Sequence, residues 1–257
     1  MPASSLPRPV ALLARELSGL PGVVAVVLGG SRALGTNRPD SDWDLGLYYR
    51  SSQRLLDPDD LRKLGHGGQI SRLGEWGPIV NGGAWLTVAE IPVDVLFRDL
   101  AVIEIWLQDA QQGRFEVLTQ NGYIVGAPTY LSVGELAICQ SIVGQLPRPS
   151  FPDALATAAE SRWKGRASVS LMFAKSYASL GDTVCCAGML VDATLCTAHA
   201  RLAQRHEWVL NEKHLVRRAG LDQLQPVLAQ PGSTTEELLT AVATVSAGLS
   251  VEPLVAR

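Results

Sequence analysis

Two aspartates, Asp42 and Asp44, stand two residues apart in the segment Ser41-Asp42-Trp43-Asp44-Leu45-Gly46-Leu47-Tyr48. On a β-strand, residues i and i+2 project from the same face, so these two carboxylates converge. Alone they repel, and beside an apolar sheet they are costly. A divalent cation shared with substrate phosphates neutralises both, and hard oxygen ligands in this arrangement suit Mg²⁺. Just upstream stands Gly29-Gly30-Ser31-Arg32-Ala33-Leu34-Gly35. Glycines there let backbone N–H groups approach a phosphate, and Ser31 adds a hydroxyl where a strand gives way to a turn or helix. Arg32 follows that turn and can touch a triphosphate or form a surface ion pair. Together these residues place a nucleoside triphosphate over metal ions.

Such groups meet only if the chain around them forms a sheet. The β-branched run Val23, Val24, Val26 and Val27 breaks at Gly29-Gly30-Ser31, the pattern of a buried strand ending in a tight turn. Trp43 to Tyr49 reads as a second strand. Ala84 to Val88 and Ile91 to Phe97 read as two more, separated by a turn near Glu90. Leu6 to Leu20 carries a helical pattern through Val10, Leu13 and Leu17. From about Leu131 the spacing of Leu136, Ile138, Ile142, Val143 and Leu146 is helical, and helices are expected over 152–180, 183–206, 212–218 and 235–249. The expected fold is α/β (α+β): a small mixed sheet with flanking helices over residues 1–130, then an all-helical bundle over 131–257.

The 257 residues are 47% hydrophobic, enough for a full core. The formal charge is -3 with no Lys/Arg block, so the electrostatic footprint of a protein gripping long nucleic acids is missing. From Leu131 onward, 11 Lys/Arg balance 11 Asp/Glu, so neither half is a basic platform. The opening MPASSLPRPV has no charged region followed by an apolar one, and no run approaches the length of a membrane span, so a cytoplasmic protein is expected. Cys139, Cys185, Cys186 and Cys196 form no C-x-x-C pair and read as buried thiols. His66, His199, His206 and His214 share no metal-ligand spacing and read as surface or capping residues. Trp76, Trp85, Trp106, Trp163 and Trp208 read as core or interdomain residues, any of which could line an acceptor pocket.

A Gly-Gly/Ser turn followed by Asp-x-Asp resembles the signature of the polymerase-beta-like nucleotidyltransferase superfamily, with Gly30, Ser31, Gly35, Ser41, Asp42 and Asp44 at signature positions. The resemblance implies a third carboxylate on a later strand. Asp94 is the candidate, because it alone sits mid-strand among apolar neighbours, whereas Glu75, Glu90 and Asp99 do not. It implies two Mg²⁺ ions held by the catalytic trio Asp42, Asp44 and Asp94, with ATP as donor against Gly30, Ser31, Arg32 and Ser41. The two-part plan resembles the aminoglycoside nucleotidyltransferases, whose helical part covers the substrate. Trp208 to Lys213 resembles a segment of those enzymes in which a lysine reaches the triphosphate, which makes Lys213 a further candidate. The implied reaction moves a nucleoside monophosphate to a hydroxyl of a small, aminoglycoside-like acceptor and releases pyrophosphate, an activity associated with antibiotic resistance. Transfer to RNA or to a protein side chain, or a non-catalytic nucleotide-binding role, are the alternatives. A cationic aminosugar would be met by acidic residues of the helical half, among them Glu135, Asp182, Asp192 and Glu207.

Overall fold

Continuous apolar runs at 23–28 and 45–49, with alternation of buried and more exposed residues at 83–88 and 91–99, build a six-stranded sheet in the computed structural model, which describes residues 6–254. The chain divides into two compact units. The first comprises Met1–Asp109, Phe115–Gly122 and Gly126–Ser150; the second comprises Ala110–Arg114, Tyr123–Val125 and Phe151–Arg257.

The first unit runs α1 (Arg8–Ser18), β1 (Val23–Leu28), α2 (Gly30–Leu34), β2 (Trp43–Tyr49), α3 (Pro58–Arg62), β3 (Gly67–Ile70), β4 (Gly83–Val88) and β5 (Ile91–Asp99). It continues with α4 (Leu100–Gln111), a small β6 (Val117–Leu118) and β7 (Ala127–Pro128) pair, α5 (Tyr130–Ile138) and β8 (Gln140–Val143). The sheet order is β3-β4-β5-β2-β1-β8. Only β2 and β5 run parallel; every other neighbouring pair is antiparallel. One face is apolar: Leu45, Leu47, Val93, Val95, Ala84 and Leu86 pack against Val10, Leu13, Ala14 and Leu17 of α1. Burying that many aliphatic side chains, at roughly 1.5–3 kcal/mol each, is what holds the layer together. The other face is covered at one end, where Arg98 of β5, 2% exposed, makes a two-pronged ion pair with Glu135 of α5 at 2.5 and 2.7 Å. Burial there, with the Glu135 charge adding, raises the Tyr48 hydroxyl well above its usual pKa.

Two expectations change here. The helical spacing read through Leu146 stops at Ile138, and Gln140–Val143 pairs with β1 as an edge strand. Gly144 follows at φ 78°, where a Cβ would meet the Val24 carbonyl at 2.4 Å, so the chain turns where a helix would have continued. Because that strand belongs to the sheet, the first unit reaches Ser150, beyond the expected division near residue 130, and Glu135 belongs to it.

In the second unit, α6 (Asp153–Ser179) and α7 (Thr183–Gln204) pack along their lengths, followed by α8 (Leu215–Arg218), a 3-10 turn (Asp222–Leu224), α9 (Gln225–Ala229) and α10 (Thr235–Leu249). Thr234 and Glu237 cap α10 reciprocally, and Asp182 caps α7 through the Cys185 N–H. By length and composition α7 could cross a membrane, contrary to the reading of the sequence. Most of it is buried, largely against α6, and it carries Asp192 and His199 inside. Asp192 pairs with Arg166 and accepts from Ser170. His199 is no surface residue: it stacks on buried Trp163 with ring centroids 4.4 Å apart. Cys139, Cys186 and Cys196 are buried, whereas Cys185, in the first turn of α7, is exposed.

Candidate active site

The site begins where β1 ends. After Leu28 the chain turns through Gly29 and Gly30 into the single turn of α2, and the Gly29 N–H donates to the Asp44 carbonyl at 2.8 Å, which fastens the turn to β2. Gly30 adopts φ 58°, and a Cβ on it would lie 1.9 Å from Asp44 Oδ2. Only glycine allows this, both for its left-handed backbone and because the carboxylate occupies the space a side chain needs. The Asp44 carboxylate therefore lies against the first residue of the turn.

Asp44 pairs with Asp94 in the parallel β2–β5 ladder. Paired residues on neighbouring strands point to one face, about 4.8 Å apart along the hydrogen-bonding direction. Both aspartates are partly buried on the face opposite α1, whose far end carries Arg98 and Glu135. Of the rival third carboxylates, Asp99 accepts from the Ser51 and Ala101 N–H groups at the other end of β5. Glu75 accepts from the Arg72 N–H, and Glu90 sits in the β4–β5 turn at φ 67°. None of the three lies in register with Asp44.

Asp42 is exposed and precedes β2. Among the described residues, no three His, Cys, Asp or Glu side chains gather closely enough to cage a metal ion. The Asp44–Asp94 pair nevertheless fits Mg²⁺, which is ordinarily held by one or two carboxylates with substrate phosphates and waters completing its shell. The loop bearing Asp42 is held by Arg32. Its Nε donates to the Ser41 carbonyl at 3.2 Å and the Asp42 carbonyl at 3.0 Å, and its guanidinium lies 4.1 Å from the centre of the Trp43 ring. Ser41 Oγ accepts from the Arg38 N–H at 2.9 Å, closing the same loop on itself. Arg32 and Ser41 both make hydrogen bonds within the loop that leads to Asp42. Gln140 of β8 donates to the Ala33 carbonyl at 2.8 Å and so ties α2 to the sheet edge. Nothing in the sequence marked the roles of Arg32 and Gln140, since their partners are backbone carbonyls.

Ser31 is partly buried in α2. Lys213 lies in the second unit; it is exposed, and its backbone N–H donates to Asn211 Oδ1. Its reach to a triphosphate rests on the resemblance alone. The acidic residues expected to meet an aminosugar are engaged elsewhere: Glu135 with Arg98, Asp192 with Arg166 and Ser170, Asp182 as a helix cap, and Glu207 3.6 Å from Arg218.

The mixed sheet thus carries two in-register carboxylates beside a glycine turn. Residues 10–111 match the family model described as "Nucleotidyltransferase domain", so this part of the chain is similar to that family. No curated protein matched the chain. Among solved structures, a nucleotidyltransferase-like protein from Exiguobacterium sibiricum is similar at 10% identity and a TM-score of 0.46, over 95% of this chain and 74% of that one. An aminoglycoside 6-adenyltransferase from Bacillus subtilis is similar at 9% identity and a TM-score of 0.29, over 95% of this chain and 90% of that one.

Proposed function

We propose that this protein transfers a nucleoside monophosphate from a nucleoside triphosphate, with ATP as the donor, to a hydroxyl of a small polyhydroxylated acceptor. The observation that carries the reading is the Asp44–Asp94 rung lying against the Gly29-Gly30 turn. In this reading the backbone N–H groups of Gly30 and Ser31 and the Ser31 hydroxyl hold the phosphates, and Asp44, Asp94 and Asp42 hold the metal. Two bound Mg²⁺ ions would supply charge neutralisation for the pyrophosphate and would acidify the acceptor hydroxyl. As the acceptor oxygen bonds to the α-phosphorus and the bond to pyrophosphate breaks, Asp94 accepts the hydroxyl proton, a role suited to a carboxylate beside the attacking oxygen. Arg32 acts as a positioning residue, keeping the Ser41–Asp42 backbone beside the turn.

A screen for pyrophosphate release tests this, using the full chain, Mg²⁺, each of the common nucleoside triphosphates, and a panel of aminosugars with RNAs as the contrasting acceptors. Release that depends on Mg²⁺ and on a sugar is the expected outcome. Release that depends on RNA alone would replace the acceptor class, and absence of release with every pairing would overturn the reading.

A further inference from the structure

The row of residues that aligns the two carboxylates continues past Asp94. β4 pairs antiparallel with β5, with Trp85 directly opposite Asp94. Directly opposed residues share a face, with Cβ atoms about 5 Å apart. This register is pinned by the tight turn at Ala89 and Glu90, both at positive φ (47° and 67°), between the paired Val88 and Ile91. Such turns match the natural twist of a hairpin and leave little freedom for slippage. Across this face the order is therefore Gly29, Asp44, Asp94, Trp85, with Gln69 of β3 opposite Trp85 on the outer side.

Trp85 is 51% exposed. Trp76 stacks on it with ring centroids 4.6 Å apart and planes inclined by 23°. Trp76 in turn lies over Gly83, where a Cβ would meet its ring at 2.5 Å, so the absent side chain is what lets the indole settle on the strand. Trp76 thus backs one face of the Trp85 indole, and half-exposed Trp85 presents the rest of its apolar ring one strand away from Asp94.

In a displacement at phosphorus the attacking and leaving oxygens stand in line on opposite sides. With the triphosphate at the glycine turn, the acceptor oxygen arrives from the Asp94 side, where the next residue is Trp85. We propose that the Trp76–Trp85 pair is the acceptor platform, and that it takes a saturated, hydroxyl-bearing ring, a pyranose-like sugar, whose C–H face lies on the Trp85 indole. This inference rests on the nucleotidyl-transfer reading. The ring type follows from reach: Asp94 stands one strand spacing, about 4.8 Å, from Trp85, so the reacting hydroxyl must belong to the stacked ring or to the carbon attached to it. A pyranose carries hydroxyls around its rim and apolar C–H faces above and below. A stacked nucleobase instead holds its nearest hydroxyl out on the ribose. Exposed Gln69 offers an amide to rim hydroxyls on the side away from Asp94.

The test reads binding without turnover. The full chain is titrated with kanamycin, D-glucosamine and adenosine by saturation-transfer NMR, as wild type and as Trp85→Ala, Trp85→Leu and Trp85→Phe. Affinity for Mg²⁺ with a non-hydrolysable ATP analogue is measured in parallel by calorimetry. The sugars are expected to bind the wild type, to lose about tenfold in affinity in Trp85→Ala, and to recover most of it in Trp85→Phe, while analogue affinity changes by less than about twofold. Trp85→Leu, apolar but without a flat face, is expected to behave like the alanine variant and serves if that variant folds poorly. Sugar binding unchanged by Trp85→Ala or Trp85→Leu, no binding by either sugar, or tighter binding of adenosine overturns the platform. Failure of the analogue to bind the wild type instead removes the nucleotidyl-transfer reading, which the calorimetry reports separately.

Discussion

Asp44 and Asp94 occupy the same rung of the parallel β2–β5 ladder, so the spacing of their carboxylates is set by the sheet's hydrogen bonds and not by a loop. Two like charges at neighbouring strand positions oppose each other until a cation joins them. Removing one should therefore separate stability from function. Asp44→Asn and Asp94→Asn are each expected to abolish pyrophosphate release, while the metal-free Tm holds or rises by about 2–4 °C. Mg²⁺ should raise the Tm of the wild type and leave both variants nearly unmoved. Thermal melts with and without Mg²⁺, beside turnover assays, check this; a variant that keeps turnover would remove its aspartate from the site.

Gly30 and Gly35 flank α2 and both have positive φ, yet they differ in what surrounds them. A Cβ on Gly30 would collide with Asp44 Oδ2, whereas one on Gly35 would meet nothing within 4 Å. Gly30→Ala is expected to displace the carboxylate and lower transfer on the order of 100-fold. Gly35→Ala should cost about 1 kcal/mol of stability through its backbone alone and leave transfer largely intact. Comparable turnover in the two variants would contradict the close fit of Asp44 over the turn.

Arg32 grips two carbonyls and lies over an indole, a combination that needs the planar fork of a guanidinium. Arg32→Ala and Arg32→Lys are both expected to lower kcat about 10- to 100-fold through loss of Asp42 placement. Nucleotide KM should change far less. Steady-state kinetics decide: a raised nucleotide KM with unchanged kcat would return Arg32 to the role of phosphate ligand.

His199 bears on the acid limit of the second unit. Burial, with the Arg166 and Arg218 charges adding, pushes it from 6.5 down to about 3, and neither ring nitrogen has a hydrogen-bond partner. As pH falls from about 6.5 to about 3, the unfolded chain takes up a proton here that the folded chain refuses, so this contribution to stability is full above that window and is lost on descending through it. His199→Phe preserves a ring against Trp163 without a titrating group. Its urea midpoint is expected to fall less than the wild type's between about pH 7 and about pH 4.5. Equal slopes would show that other groups govern acid unfolding.

Much of the first unit can be read from residue order because its strands are either apolar runs bounded by turns or obey a period of two. Trp43–Tyr49 follows from its apolar run around Asp44, and Ala84, Leu86 and Val88 face the core while Trp85 does not. The exposure of Trp85 was thus available in the pattern, and the general habit of treating tryptophan as core filling hid it. β3 escaped notice because Gly67-Gly68-Gln69 is an exposed edge with almost no apolar signal, and β8 because Ile142 and Val143 also satisfy a helical spacing. Asp42, Asp44 and Asp94 stood out as carboxylates in or beside apolar runs. What no residue order reveals is that Asp94 faces Asp44, since strands far apart in the chain select each other through packing and hydrogen bonding. For the same reason the hold of Arg32 on the Ser41 and Asp42 carbonyls becomes visible only once the loop has folded.

The Ala89-Glu90 turn has a consequence for how this domain can change over evolutionary time. Two residues join β4 to β5, and the chain between β2 and β4 wanders through a helix, an edge strand and several glycines. Lengthening or shortening that wandering stretch leaves the ladder untouched, because the rungs are counted from the turn and the pleat. One residue added within β5 is a different matter: every side chain beyond it swaps faces, and Asp94 would enter the oily layer while Val95 looked outward. Alignment of the two acids therefore behaves as an all-or-nothing trait. The connecting segments are free to lengthen or shorten, and the strands are not.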